Sequence, residues 1–259
     1  MRLLDSVGLV VEVSNLGDRD RIVTLITPEY GKVRAVAKGA RTKYSRYAGQ
    51  LHLLARLRCG WFEKESSDLA RLREVHLERP ATGLQNELEG LLLGTYLAEQ
   101  ATVFVQENEE SPRLFRLLDS CLDALLNDRV DEALVGRYYE AWMLRLAGIF
   151  PHPSECPACG RDLDDLAVLL DGVDGLVCGD CARGQSGLRV GPGVLGFLRR
   201  ISAQRVQDIA AANPPGSDLL ERVEELTARV RREFLGEELR SYVVLKRTLA
   251  EVGRPSCAP

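Results

Sequence analysis

The sequence predicts an α+β protein in which a small β-barrel precedes a helical region, and three observations lead to this fold class. Short segments rich in β-branched residues, separated by turns, occupy the stretch from Met1 to Arg79. Beyond Pro80 the apolar residues recur at three- and four-residue steps, which is the period of a helix. Two pairs of cysteines interrupt this helical pattern between residues 153 and 190. A chain of 259 residues, 45% hydrophobic and 28% charged, is long enough to bury a sizeable core.

The stretch from Met1 to Arg79 is predicted to contain five strands. Their patterns alternate or are continuously apolar, and turn residues bound them. The strands are placed at 7–13, 21–26, 32–37, 51–62 and 69–78. A loop or short helix at 38–50 interrupts the series after the third strand. Five short strands with this interruption indicate a Greek-key barrel of the OB type over residues 1–79, a fold that binds single strands on one face and in its loops. The alternative is another five-stranded barrel without a ligand.

A helical domain is predicted on both sides of the cysteine pairs, at 80–152 and at 191–259. Ser111 and Pro112 favour a helix start, because a serine hydroxyl can cap free amides and proline fits the first turn. Gly148 and Pro151 are expected to end the last helix before the cysteines. Cys121 lies on an apolar helical stripe, so it is interpreted as a buried core thiol.

The two cysteine pairs have the spacing of a metal site. Cys156 and Cys159 form one pair, Cys178 and Cys181 form the other, and the segment 160–177 separates the pairs. Two cysteines on one tight turn can face a single ion, and two such turns complete a tetrahedron of thiolates. A redox dithiol would need only one pair. Because four thiolates leave no open position, we predict one structural zinc ion in a segment spanning residues 153–190.

Positive charge is concentrated near the N-terminus. The formal net charge is −4, yet the stretch from Met1 to Arg79 carries 15 Lys and Arg against 10 Asp and Glu, and no acidic residue occurs between Glu29 and Glu63. Cations interleaved with aromatic residues suit single-stranded nucleic acid, whose bases can stack. The candidate DNA-binding residues are Lys32, Arg34, Lys38, Arg41, Lys43, Tyr44, Arg46 and Tyr47. The alternative is a solvated basic loop in which Tyr44 and Tyr47 are ordinary barrel-cap residues.

The sequence gives little support to several other classes of protein. The sequence has no apolar run long enough for a transmembrane helix and no signal-peptide core, so we expect a cytosolic protein whose cysteines stay reduced. We predict that it is not an enzyme, because it lacks a phosphate-binding glycine loop, and His52, His76 and His152 have no obvious catalytic partner. Cations near the C-terminus, Arg231 among them, either extend the basic surface or lie on helix faces balanced by glutamates.

Four short motifs come before the cysteine pairs and carry a family resemblance. They are GLVV at 8–11, GDRDRIVTLITPEYGK at 17–32, VAKGAR at 36–41 and LFRLL at 114–118. In this order they resemble the RecO family of bacterial recombination mediators over nearly the whole chain. The resemblance implies an N-terminal OB barrel and a helical domain into which a zinc-binding segment is inserted.

The same resemblance implies a function and a set of partners. Members of the family are non-enzymatic proteins that bind single- and double-stranded DNA and anneal complementary strands. They act with RecR, bind the single-strand-binding protein SSB, and help RecA load onto SSB-coated DNA during repair of gaps and double-strand breaks, at the nucleoid in the cytoplasm. Their DNA contacts lie largely on the basic face of the barrel, which matches Lys32, Arg34, Lys38, Arg41, Lys43 and Arg46 here. The rival hypothesis is a protein–protein adaptor with incidental DNA contact.

Overall fold

A computed structural model describes residues 2–63, 69–127, 130–172 and 175–252. They fall into two compact units, one drawn from Met1–Asn127 together with Leu239–Pro259 and the other from Asp128–Glu238. The functional domain boundaries at 79/80, 152/153 and 190/191 stay a prediction. None of the helices in the described part of the chain has the length and apolar character needed to span a bilayer.

The first unit is built on a five-stranded barrel. Its strands are β1 (Arg2–Leu16), β2 (Asp20–Thr27), β3 (Gly31–Ala37), β4 (Arg56–Glu63) and β5 (Ala70–Arg79). They are ordered β1-β2-β3-β5-β4, and β4 returns to β1 to close the barrel. Neighbouring strands are antiparallel except β3 and β5, which run parallel. This is the arrangement of an OB-type barrel, so the predicted α+β fold class is confirmed.

Alternation along the strands builds the barrel core. In β3, Val33, Ala35 and Ala37 are buried, while Arg34 between them is exposed. The predicted fourth strand is too long at its N-terminal end, because β4 begins at Arg56 and not at residue 51. Leu54 is buried with a φ of 62°, a left-handed conformation that cannot continue a strand. The segment before Arg56 therefore leaves the strand, and the Leu54 amide donates to the Val10 carbonyl of β1 at 2.7 Å.

Helices follow the barrel and fill both units. They are α1 (Thr82–Gln85), α2 (Leu88–Phe104), α3 (Pro112–Leu126), α4 (Glu132–Leu146), α5 (Pro192–Ala203), α6 (Val206–Ala212), α7 (Ser217–Leu235) and α8 (Arg240–Val252). Helix α3 begins at Pro112 as predicted, but the predicted serine cap is wrong. The Ser111 hydroxyl donates to the Glu109 carbonyl and makes no hydrogen bond to the helix amides. Cys121 is fully buried, which confirms its interpretation as a core thiol.

The turn before β3 requires a glycine at position 31, in the TPEYGK end of the motif at 17–32. Gly31 has a φ of 58°, and a Cβ there would lie 2.3 Å from the carbonyl oxygen of Glu109 and 2.5 Å from that of Gln106. The Lys32 amide donates to the same Gln106 carbonyl at 2.9 Å. Any larger residue would push apart two backbone segments that are hydrogen-bonded to each other.

Gly31→Ala is expected to destabilise the protein by roughly 3 kcal/mol or more, because left-handed strain and a backbone clash act together. Gly17→Ala is the matched control, since Gly17 also has a φ of 58° but no neighbouring atom within 4 Å of the point that a Cβ would occupy. The control should cost only about 1 kcal/mol. Urea denaturation of both variants measures the difference, and equal losses would contradict the clash.

The second unit combines helices with a small sheet. Strands β6 (Ala167–Leu170), β7 (Leu176–Cys178) and β8 (Gly187–Val190) form a sheet in the order β7-β6-β8. Helices α4 and α7 enclose buried ion pairs, in which Arg231 lies 3.6 Å from Glu140 and Arg137 lies 2.9 Å from Glu224. Arg231 is fully buried, so it is no part of a basic surface.

Candidate nucleic-acid interface and four-cysteine cluster

The residues between β3 and β4 that carry the positive charge form a chain of tight turns. The Thr42 amide donates to the Gly39 carbonyl, the Ser45 amide to that of Thr42, and the Ala48 amide to that of Ser45, at 3.1 to 3.2 Å. These backbone amides are thus satisfied within the loop, and the long cationic side chains remain exposed.

Contacts with the barrel hold this loop in place. The Gly39 amide donates to a carboxylate oxygen of Asp20 at 2.7 Å. The Arg41 guanidinium donates to the Gly17 carbonyl at 2.7 Å, and the Arg41 amide donates to the Arg19 carbonyl at 3.0 Å. The loop is therefore fixed on the turn between β1 and β2, which limits the entropy lost when its cations bind a ligand.

Tyr47 is an anchor of the loop, which corrects its interpretation as a base-stacking residue. Its side chain is only 3% exposed, and its hydroxyl donates to the Leu72 carbonyl at 2.8 Å. The Arg46 guanidinium donates to the same hydroxyl at 2.7 Å. A ring with no exposed face cannot stack on a base, so the alternative of a barrel-cap residue describes Tyr47 better.

The remaining candidate DNA-binding side chains differ in their exposure and in their contacts. Lys32 is half-buried, and its Nζ donates to the Thr102 carbonyl at 3.0 Å, so it links β3 to α2. Tyr44 is 89% exposed and lies 5.6 Å from the Lys43 ammonium, measured to the ring centroid. The other exposed cations, named here the basic loop surface, are Arg34, Lys38, Arg41, Lys43 and Arg46. Within the described residues, none of these five side chains forms an ion pair with a carboxylate.

In the following strands, β4 and β5, some arginines form ion pairs with carboxylates and others do not. Arg56 pairs with Glu78 and Asp119, and Arg58 pairs with Glu78, so both are neutralised locally. Arg71 and Arg73 in β5 are exposed, and neither forms an ion pair within the described ranges. Sequence reasoning missed them because they follow the basic stretch only after a further strand, although their alternation with buried Leu72 was a visible signal.

The two cysteine pairs converge in the second unit. Sulfur atoms of Cys156, Cys159, Cys178 and Cys181 all lie within 4.8 Å of one another. Cys159 Sγ and Cys178 Sγ are 3.8 Å apart. Thiolates about 2.3 Å from a tetrahedral ion would be about 3.8 Å apart, so this spacing fits a metal site.

Local turns aim the sulfurs at one point. The Gly160 amide donates to the Cys156 carbonyl at 2.8 Å, and Gly160 has a φ of 68°, which a glycine adopts without strain. Across the cluster, the Cys178 amide donates to Cys156 Sγ at 3.3 Å. Arg161 and Asp180 form a 2.5 Å ion pair that links the two turns on the surface.

The electrostatics of the cluster are compatible with a bound cation. Burial raises the pKa of Cys156, but backbone amides of Cys178, Ala158 and Cys159 outweigh it and hold that pKa at about 6. A backbone hydrogen bond from Cys181 lowers the pKa of Cys178. Hydrogen bonds with the Cys159 and Cys178 sulfurs raise the pKa of Cys181 to about 12. The raised pKa of Cys181 opposes a fourth thiolate in the bare cluster, and a metal ion between the sulfurs would remove that opposition.

Fold and geometry together define an OB-barrel protein whose helical remainder carries a four-cysteine cluster able to hold a metal ion. The chain belongs to the RecO family, because residues 1–81 match the model for the N-terminal part of recombination protein O and residues 85–242 match the model for its C-terminal part.

Curated relatives agree with this family. The chain is similar to the DNA repair protein RecO of Anaeromyxobacter sp. (strain K), with 34% identity over 95% of both chains. It is 33% identical to the DNA repair protein RecO of Geobacter metallireducens, over 76% of this chain and 79% of that one. The DNA repair protein RecO of Thermoanaerobacter sp. (strain X514) is 29% identical over 70% of this chain and 72% of its own.

Proposed function

We propose that this protein is a DNA-binding recombination mediator that anneals complementary single strands. The observation that carries the proposal is the basic loop surface, whose five exposed cations have no carboxylate partner in the described parts of the barrel. Unpaired cations that a fixed loop presents on an OB-type barrel are suited to a polyanion. Relatives named DNA repair protein RecO supply the biological context.

The proposed mechanism is physical and involves no bond chemistry. Complementary strands repel each other through their phosphates, and a cationic surface that holds both lowers this barrier. Each phosphate neutralised on a single strand contributes about −0.7 to the slope of log K against log salt. Tyr44, which is highly exposed beside Lys43, is the aromatic residue placed to stack on a base. Protein side chains position the strands, so we assign no catalytic residue.

We further propose the partners that membership of the RecO family suggests. The protein acts with RecR, binds SSB, and helps RecA load onto SSB-coated single strands in gap and double-strand break repair at the nucleoid. It engages single- and double-stranded DNA. The proposed division of labour assigns DNA to residues 1–79, scaffold and partner contacts to 80–152 and 191–259, and metal binding to 153–190.

The metal that we propose for the cluster is one structural zinc ion, ligated by Cys156, Cys159, Cys178 and Cys181. A set of four sulfur donors at tetrahedral spacing suits Zn²⁺ and leaves no position for a substrate. The ion would join the two turns and thereby brace β7, which ends at Cys178.

Zinc affinity is expected to fall as the pH is lowered. Every ligand must be a thiolate, and the Cys181 pKa of about 12 means that zinc has to displace its proton at neutral pH. Competition with a chromophoric chelator at several pH values measures the affinity, and proton release in weak buffer gives an independent check. A pH-independent affinity between pH 6 and pH 8 would contradict ligation by all four sulfurs.

Annealing of two complementary oligonucleotides coated with SSB, across a salt series, tests the proposed function. We expect the protein to accelerate annealing without nucleotide, and the acceleration should decline as salt rises. The adaptor hypothesis predicts the opposite pattern, in which the protein binds SSB but neither binds nor anneals bare DNA at low salt.

A further inference from the structure

A second cluster of cations lies where β3, β5 and β4 meet on the barrel. Register pairs Val36 of β3 with Arg71 of β5, and Arg71 in turn pairs with Phe62 of β4. Residues paired across strands share one face, and the exposure of Arg71 shows that this is the outer face. The described residues offer Arg71 and Arg73 no carboxylate at ion-pair distance.

Arg73 and Phe62 contact each other on this face, and the pair is named here the Arg73–Phe62 platform. The Arg73 guanidinium lies 5.9 Å from the centroid of the Phe62 ring, within the range of a cation–π contact. Phe62 is half-buried, so part of its side chain remains accessible to a ligand. Aromatic rings and guanidinium planes are the two side-chain surfaces on which unstacked bases pack.

A cleft connects this platform to the basic loop surface. It has a volume of about 230 Å³ and is lined by Arg46, Tyr47, Arg73, Glu74 and Val75. Arg46 and Arg73 thus line the same cleft, and the Arg46 guanidinium lies 4.9 Å from the centroid of the anchored Tyr47 ring. Glu74 is the carboxylate that lines the same cleft, so a phosphate is disfavoured inside it and is better placed at the cationic rim.

We infer that the cleft between Arg46 and Arg73, together with the Arg73–Phe62 platform, is a binding subsite for one unstacked base of single-stranded DNA, with Arg71 binding an adjacent phosphate. This inference rests on the proposed function and deepens it, because it assigns a strand preference to a defined part of the barrel. The cleft is too small to admit a duplex, whose bases are already stacked and paired. The basic loop surface contacts backbone phosphates, which both forms of DNA possess.

Two conservative variants test the subsite, one that keeps the positive charge and one that keeps an apolar side chain. Arg73→Lys keeps the positive charge but loses the planar guanidinium. Phe62→Leu keeps an apolar side chain but loses the aromatic face. Arg116→Ala serves as the control, because Arg116 is exposed on α3 and forms no ion pair in the part of the chain that the structure describes. The probes are a fluorescein-labelled oligothymidine and a duplex of mixed sequence.

Each of the two variants should bind oligothymidine about tenfold more weakly, the size of one lost stacking contact, while duplex affinity changes less than about twofold. A 2-aminopurine placed in the oligonucleotide should be quenched by the wild-type protein and less so by either variant. The control should match the wild type. Thermal melting checks that the Phe62→Leu variant folds. If that variant does not fold, the Arg73→Lys variant decides the test, because Arg73 is at an exposed position.

The outcomes separate this inference from the proposed function. The inference would be overturned if Arg73→Lys bound oligothymidine, and quenched 2-aminopurine, as strongly as the wild-type protein does. It would also be overturned if either variant lost equal affinity for oligothymidine and for the duplex. If replacement of the loop cations abolishes DNA binding while Arg73→Lys is unaffected, the proposed function stands and the subsite fails. If the wild-type protein binds neither probe, both fail together.

Discussion

Simultaneous replacement of Lys38, Arg41, Lys43 and Arg46 by alanine is expected to weaken single-stranded DNA binding by more than about 100-fold at low salt. The four side chains are exposed, and none has a carboxylate partner in the described ranges. If each neutralises one phosphate, the slope of log K against log salt should become shallower by about 2.8, at roughly 0.7 per contact. Binding of all DNA sequences should suffer alike, because phosphate contacts carry no sequence information.

Fluorescence anisotropy across a salt series measures this change. A matched control removes four exposed arginines elsewhere, namely Arg113, Arg116, Arg222 and Arg232. The control changes the net charge by the same amount, so it separates a local binding surface from a general effect of charge. A slope that is unchanged in the loop variant, or equally reduced in the control, would refute the assignment of the basic loop surface.

Cys156→Ser is expected to abolish zinc binding and to destabilise the second unit by more than about 3 kcal/mol. Cys156 is fully buried and its sulfur accepts a hydrogen bond from the Cys178 amide, so its loss affects both turns at once. Metal content by elemental analysis should fall from about one zinc per chain to none. Thermal melting should show the loss of stability.

Cys121→Ala is the control for the loss of a thiol. Cys121 is also fully buried, but it lies in α3 of the first unit, far along the chain from the cluster. This variant should keep one zinc per chain while losing some packing energy. A wild-type protein that carries no metal and shows four free thiols in the 153–190 segment would contradict the proposed zinc site.

The features that the sequence predicted well are those with local causes. Alternation of apolar residues in β3 follows from one face being buried, and Pro112 starts α3 because its ring suits the first helical turn. Spacing of the cysteine pairs likewise reflects a geometric demand that short turns can meet alone. Such signals depend on neighbours in sequence and are visible without the fold.

The features that escaped prediction depend on contacts between distant segments. Tyr47 is buried in the barrel core, where the Leu72 carbonyl of β5 accepts a hydrogen bond from its hydroxyl. Leu54 takes a left-handed conformation at a point where its amide donates to the Val10 carbonyl of β1, far back along the chain. Strands β6 to β8 are three or four residues long, too short for their alternation to be read in sequence.

The same limit applies to the DNA-binding candidates. The basic stretch between Glu29 and Glu63 drew attention in the sequence, yet its Arg56 and Arg58 pair with Glu78 on the neighbouring strand. Arg71 and Arg73 became candidates only once the register of β3, β5 and β4 was known. Charge in the sequence thus indicated a candidate region, and the pairing of the strands shows which of its cations have a carboxylate partner.

Photocrosslinking with a 4-thiothymidine oligonucleotide tests the central claim most directly, because it reports where single-stranded DNA lies on the protein. The protein is crosslinked at low salt, digested and mapped by mass spectrometry. The account predicts crosslinked peptides from residues 38–47, next to Tyr44 and the basic loop surface, that disappear as salt rises. Crosslinks confined to residues 130–238 would contradict it and would move the DNA-binding site to the second unit.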